Sequence, residues 1–276
     1  MSSPSPVSVV FGTAGHIDHG KSALIASLCG THPDRLAEEK ERGMTLGLGY
    51  GEMQHGDNFE IGFVDVPGHK KLVRKMVAGA SGMNAALLVI ACNDGVMPQT
   101  KEHFEVLRLL NIDEGLIVLT KSDLADEDTV EIVKLEVSEL TAGTLWAENL
   151  VLEVSSQTGS GLEVLRDEIY KLANKLASKK KESPKGFVLN SQRSFSLEGS
   201  GTVATGVCAS GELAVGEEVY VFPEGKKSRV RRIHVHGRDC QKAIPGVRTA
   251  LNLPDVSIED CGLGATLVEP DIAHSG

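Results

Sequence analysis

Residues 15–22 read Gly-His-Ile-Asp-His-Gly-Lys-Ser, a spacing that fits G-x-x-x-x-G-K-[ST]. The chemistry this pattern serves is phosphate binding. Gly15 and Gly20 let the main chain curl so that successive N–H groups converge on an anion, and the N-terminus of a following helix adds its partial positive charge. Asp18, His19 and Ala23 complete the loop around a bound nucleotide. Lys21 is placed to reach the β- and γ-phosphates, and Ser22 to offer its hydroxyl to Mg²⁺. The alternative is a glycine-rich turn with a chance lysine. The flanks argue against it, because an apolar run over 7–11 precedes the loop and a helix-like segment over 23–28 follows.

Four further groups could act on the same ligand. Asp65 and Gly68, in Asp-Val-Pro-Gly, offer a carboxylate that holds Mg²⁺ through a water and an N–H for the γ-phosphate. Thr45 is a second hydroxyl for a cation that prefers a hard oxygen shell. Thr120-Lys121-Ser122-Asp123 then reads the base. A carboxylate at Asp123 accepts from guanine N1–H and from its exocyclic amine, neither of which adenine presents, while Lys121 lies under the purine. GTP is therefore expected rather than ATP. Ser155 and Ser156, after the last strand of this half, are expected to give a backbone N–H to guanine O6; an ordinary strand-end turn is the alternative.

These residues need strands that end beside one another. Apolar runs are expected as strands near 46–53, 59–64, 85–92, 116–119 and 151–154, separated by helical spacings near 70–83, 101–110, 129–140 and 162–176. Strands alternating with helices indicate an α/β domain whose mostly parallel sheet is covered on both faces. Ligands of such sheets collect at the carboxyl ends of the strands, where all four groups fall. The polar stretch 31–45 reads as a loop. A charged segment over 179–185 is a linker between a nucleotide-binding domain, 1–178, and a second domain, 186–276. In the latter, short β runs near 187–190, 202–208, 218–222, 230–235, 248–252 and 265–268 alternate with glycine, the pattern of a small antiparallel barrel.

Composition narrows the partners. At 276 residues with 41% hydrophobic content the chain can build two packed cores. An aromatic share of 4% leaves little for base stacking, and a net charge of −10 opposes nonspecific nucleic-acid binding. The charge is uneven, however: residues 226–248 carry eight basic side chains and one acidic, a local cationic patch suited to RNA or to shielding an exposed strand edge. Five scattered cysteines without a Cys-x-x-Cys pair argue against zinc and disulfides. No apolar run reaches the length of a membrane span and no leader precedes the first strand, so a cytoplasmic protein is expected.

Taken together, Ala14–Lys21, the segment Asp34-Arg-Leu-Ala-Glu-Glu-Lys-Glu-Arg-Gly-Met-Thr45, Asp65–His69 and Asp94-Gly-Val-Met-Pro-Gln-Thr100 resemble the translational GTPases. With Phe195–Thr202 and Ala250-Leu-Asn-Leu253 in the second half, the likeness is to the selenocysteine-specific, SelB-type elongation factors. It implies that 31–49 and 65–83 are nucleotide-sensing switches. It implies that His69 orients the attacking water behind an apolar gate of Ile17 and Met44, while Lys21 neutralises charge in phosphoryl transfer. Hydrolysis is expected to be slow without the ribosome, since no arginine finger is evident. Thr120 stands where most GTPases have asparagine.

For the barrel, the resemblance implies a pocket for the aminoacyl end of selenocysteinyl-tRNA, with Arg193 and Arg231 as cationic groups; Gln192 departs from the acidic residue often found there. His234 and His236 share a strand face by period two, either solvated, facing RNA, or ligating a metal. The same resemblance implies GTP/GDP and the ribosome as partners, a monomer, and a further C-terminal domain for the selenocysteine-insertion mRNA element. That domain and a third barrel lie outside these 276 residues, so a truncated chain is expected. Two rivals are a general EF-Tu-like aminoacyl-tRNA carrier and a GTP switch resembling the initiation-factor-two gamma family, with little turnover.

Overall fold

The computed structural model describes residues 7–30, 49–55, 59–65, 83–178, 186–197, 201–235 and 238–270. Two compact units result, Met1–Lys179 and Lys180–Gly276.

The first unit runs β1 (Val7–Ala14), α1 (Lys21–Cys29), β2 (Gly49–His55), β3 (Phe59–Asp65), β4 (Ala85–Ala91), α2 (Pro98–Leu109), β5 (Gly115–Thr120), α3 (Glu127–Thr141), β6 (Val151–Glu153) and α4 (Leu162–Ser178). The expected helix near 70–83 lies outside the described residues apart from its last position. Strand order is β2-β3-β1-β4-β5-β6, with β2 antiparallel to β3 and every other pairing parallel. β4 shows why: Ala85, Leu87 and Val89 enter the core shared with α1 and α4, Ala86, Leu88 and Ile90 face the other way, and all six are fully buried. An uninterrupted apolar strand of this kind needs cover on both faces. α4 supplies it on one side through Leu162, Leu165, Ile169 and Ala173, which recur at helical spacing.

Local signals set the helix ends. Pro98 occupies the first turn of α2, where its missing N–H costs nothing. Asp126 caps α3 by accepting from the Thr129 N–H at 2.9 Å, with Glu127 and Asp128 favourable beside the helix N-terminus. Trp146 is fully buried, edge-on to Phe104, and donates its indole N–H to Ile112 O at 2.9 Å. Gly115 makes room for it: a Cβ there would lie 2.3 Å from the indole and 2.4 Å from Ala86 O. Gly115→Ala is therefore expected to destabilise this unit by about 3 kcal/mol. Urea unfolding followed by fluorescence of Trp146, the only tryptophan, measures it.

The second unit is built on an eight-stranded, barrel-like antiparallel sheet. Its order is β11 (Lys226–Arg229), β10 (Glu218–Phe222), β16 (Thr266–Val268), β7 (Val188–Leu197), β8 (Gly201–Ser210), β15 (Arg248–Leu253), β12 (Arg232–Val235) and β13 (Arg238–Cys240). A short pair joins β9 (Leu213–Ala214) to β14 (Lys242–Ala243). Its core gathers Phe187, Leu189, Ala204, Cys208, Val219, Val221, Ile233, Leu251 and Leu267. Among the described residues no helix is long and apolar enough to cross a membrane.

Candidate guanine-nucleotide site

The carboxyl ends of β1, β3, β4, β5 and β6 lie along one edge of the first sheet, and the expected phosphate and base groups cluster there. Between β1 and α1 the chain reverses through three left-handed residues, Asp18 (φ 61°), Gly20 (φ 80°) and, at φ 138°, Gly15. A side chain at Gly15 would drive its Cβ to 2.1 Å from Val89 O, so the loop can press against β4 only with glycine. Lys21 opens α1 and is buried, its Nζ donating to Gly15 O at 3.2 Å and His16 O at 2.5 Å. The ammonium is thereby folded back over the loop. Ser22 and Ala23 complete the first helical turn, whose N–H groups have no partner within the helix.

The hydroxyl and carboxylate expected around Mg²⁺ meet directly. Ser22 Oγ donates to Asp65 Oδ2 at 2.5 Å, and Thr13 Oγ1 donates to Asp65 Oδ1 at 2.8 Å, which fixes the fully buried carboxylate at the end of β3. A hydroxyl and a carboxylate are hard oxygen donors of the kind Mg²⁺ takes, so this pair fits the ion. His19 behaves differently from an exposed ligand. Its ring is buried with Nδ1 3.4 Å from Val89 O, and desolvation pushes its pKa down to about 4. Its neutral ring wedges the loop against β4, and its main-chain N–H turns back to His16 O at 3.4 Å.

Side chains that motif spacing did not reveal hold the loop from outside. His103 Nδ1 accepts the Gly15 N–H at 3.1 Å, and Gln99 Oε1 accepts the Ile17 N–H at 3.1 Å. Thr120 Oγ1 donates to His19 O at 2.7 Å. The threonine at the end of β5 thus ties the loop expected to read the base to the loop expected to bind phosphate. Beside it Lys121 is left-handed (φ 55°), with Nζ 3.6 Å from Asp94 Oδ2. Asp123 stands exposed in the single turn Ser122–Leu124, free of the sheet and open to a base. Of the two serines expected near guanine O6, the Ser155 N–H is bonded to Ser160 O at 2.9 Å. Met44, Thr45, Gly68, His69 and His236 lie outside the described residues, whereas Ile17 is half-buried in the loop.

In the second unit, β7 and β8 are out of step between Ser191 and Arg193, and Gln192 in that irregularity is buried. Arg193 pairs with Thr205 across the strands, its guanidinium 5.7 Å from the Phe195 ring centroid. The pairing does not bring Arg231 to it. Arg231 precedes β12, three strands from β7, and donates its N–H to Asn252 O at 2.9 Å. Arg248 occupies the nearer position, with Nη2 3.5 Å from the same Thr205 hydroxyl that donates to Arg193 O at 3.1 Å. His234 Nε2 lies 3.2 Å from Asp239 Oδ1 on the adjacent strand. Much of the cationic run is already matched: Lys226 by Asp260, Lys227 and Arg229 by Glu218, and Lys242 by Glu212.

Residues 7–175 match the elongation factor Tu GTP-binding domain family, and residues 201–268 match elongation factor Tu domain 2. The chain belongs to the EF-Tu family of GTP-binding elongation factors. It is 43% identical over 262 residues to the selenocysteine-specific elongation factor of Desulfomicrobium baculatum, covering 95% of this chain and 41% of that protein. It is 34% identical to elongation factor 1-alpha of Methanopyrus kandleri, covering 93% and 69% of the two. A bacterial selenocysteine-specific elongation factor, EF-Sec, superposes with a TM-score of 0.87 at 37% identity, over 96% of this chain and 45% of that one. SelB from Methanococcus maripaludis in complex with the GTP analogue GppNHp gives 0.85 at 27% identity, over 98% and 56%. The chain spans about two fifths of the length of the curated selenocysteine-specific relatives named here.

Within an EF-Tu-type GTP-binding domain the buried Lys21 has a measurable consequence. Burial holds its pKa down to about 8 in the free loop, and a phosphate beside it would raise that value. Below about pH 8 the lysine is charged both free and bound, and affinity does not depend on this group. Above about pH 8 binding must take up a proton, so Kd is expected to rise by up to about tenfold per pH unit. Calorimetric GDP titrations between pH 7 and 9.5, in buffers of different ionisation heat, would show both the rise and the proton uptake.

Proposed function

We propose that this chain is the nucleotide-binding and aminoacyl-end-binding part of a SelB-like elongation factor, a Mg²⁺-dependent GTPase that carries selenocysteinyl-tRNA in its GTP state to the ribosome in the cytoplasm. The observation that carries the nucleotide half is the meeting of Ser22 and Asp65 at 2.5 Å beside a loop whose lysine, Lys21, is buried, with Asp123 exposed on the separate turn after β5. Mg²⁺ bound there would neutralise charge on the phosphates. Lys21 would hold the β- and γ-phosphate oxygens, Thr45 would add a hydroxyl to the cation, and Gly68 would present its N–H to the γ-phosphate. His69 orients the water that attacks phosphorus, with Ile17 and Met44 excluding bulk solvent until the ribosome docks. Positioning and charge stabilisation suffice for phosphoryl transfer, which needs little covalent help. His69→Ala is expected to cut ribosome-stimulated GTP hydrolysis by about 10²-fold or more while leaving GDP binding unchanged.

Selenocysteine specificity follows from charge. A selenol ionises well below the roughly 8.5 of a thiol, so the side chain is anionic at neutral pH where serine is neutral. Arg193, whose main-chain O accepts from the Thr205 hydroxyl, and Arg248, whose Nη2 lies 3.5 Å from that hydroxyl, are assigned as the cationic groups, and the exposed Arg231 and Arg232 to the RNA backbone. A second reading, a general aminoacyl-tRNA carrier, draws on the similarity to elongation factor 1-alpha. Rates of ester hydrolysis separate them: GTP-loaded protein should slow deacylation of selenocysteinyl-tRNA but not seryl-tRNA, and Arg248→Ala should remove that protection. Equal protection of both would replace the specialised carrier with the general one. No protection at all would favour a GTP switch.

A further inference from the structure

We propose that helix α2 is a latch on the phosphate-binding loop, with His103 and Gln99 as positioning residues that hold Gly15 and Ile17 in the curl a nucleotide requires. The two side chains are four residues apart, on one face of α2, and take the main-chain N–H groups of alternate loop residues at 3.1 Å each. Neither contact is a surface accident. His103 is 2% exposed, and α2 is anchored beside it by the buried Phe104 and Leu107. The start of the helix is held as well, since Glu136 of α3 accepts the Val96 N–H at 2.8 Å and Gly95 adopts a left-handed turn (φ 68°) against the same carboxylate.

The chemistry requires His103 to be an acceptor at Nδ1, and its surroundings keep it one. Desolvation, with the nearby charge of Lys21 adding to it, pushes its pKa down to about 4. The Gly15 and Ile17 amides are thus directed to α2, while the His19 N–H turns back to His16 O at 3.4 Å. Without the acceptors the Gly15 N–H would be buried with no partner, an arrangement that proteins avoid by moving the backbone. The loop would then relax in the free protein, and each binding event would have to restore the curl. Helix α2 is in this way part of the nucleotide affinity without touching the nucleotide.

The inference rests on the reading that the loop holds a guanine nucleotide, and release of fluorescent GDP followed by stopped flow separates the two. His103→Leu is expected to speed dissociation by roughly tenfold, and Gln99→Leu by about fivefold. His103→Asn, whose amide oxygen stands where Nδ1 was, should return the rate to within about threefold of the parent. Leucine variants that release GDP at the parent rate would overturn the latch, as would an asparagine variant as fast as the leucine one. If His103→Leu fails to fold, the half-exposed Gln99→Leu decides alone, with its melting temperature as the control. Failure of the parent protein to retain GDP would overturn the nucleotide reading itself.

Discussion

Lys21→Ala is expected to raise the dissociation constant for GDP and GTP by about 10³-fold. The side chain is 7% exposed and its ammonium already sits over the loop, held by the carbonyls of Gly15 and His16, so no rearrangement of the backbone is needed to turn it onto a phosphate. A cation about 4 Å from an anionic oxygen is worth about 4 kcal/mol at the effective dielectric of such sites, which corresponds to that loss. Equilibrium titration with a fluorescent GDP measures it directly. A loss of less than tenfold would mean that the backbone amides alone bind the phosphates. The melting temperature separates a failed contact from a failed fold, because the alanine also leaves two loop carbonyls without their donor.

Asp123→Asn should lower affinity for GTP by about 10⁴-fold and create affinity for xanthosine triphosphate. The carboxylate is exposed on a single turn after β5, so its replacement by an isosteric amide leaves the fold intact. Its oxygens accept from the two N–H groups on the Watson–Crick edge of guanine. An amide keeps one acceptor and adds a donor, which faces the guanine amine wrongly and the xanthine C2 carbonyl correctly. Sites built to hydrogen-bond one ligand reject a mismatched analogue by roughly 10⁴–10⁵-fold. Competition between the two triphosphates against labelled GDP reads the switch. An unchanged preference for GTP would place base recognition elsewhere, Ser156 being the nearest alternative.

The parts of this site that could be read from the sequence are those whose chemistry is local. Gly15, Gly20, Lys21 and Ser22 must stand at fixed spacings because one turn of chain wraps one phosphate group, and Asp65 and Asp123 are marked by the strand ends they follow. His103 and Gln99 carry no such mark. They act on the loop from 88 and 82 residues away, and a helical histidine or glutamine accepts hydrogen bonds in many settings. Thr120 was visible only as a departure; its bond to His19 O explains what the departure does.

In the barrel the limit was register. A strand was expected over 230–235, yet β12 starts at Arg232, and the long strand β7 runs to Leu197 where only 187–190 was expected. The choice between Arg231 and Arg248 beside Arg193 depends on which strands are neighbours, and alternation of apolar residues fixes a face but not a neighbour. β11 and β13 escaped because Lys-Lys-Ser-Arg and Arg-Asp-Cys have no apolar alternation. They are the two edges of the sheet, where charge serves to discourage pairing with other chains.

The central claim, that the edge formed by β1, β3, β4 and β5 is a guanine-nucleotide site, is tested most directly by titrating the protein with GDP and with ADP in the presence of Mg²⁺. Saturable one-to-one binding of GDP is expected, with ADP weaker by at least about 10³-fold. Equal binding of the two, or binding of neither, would contradict it.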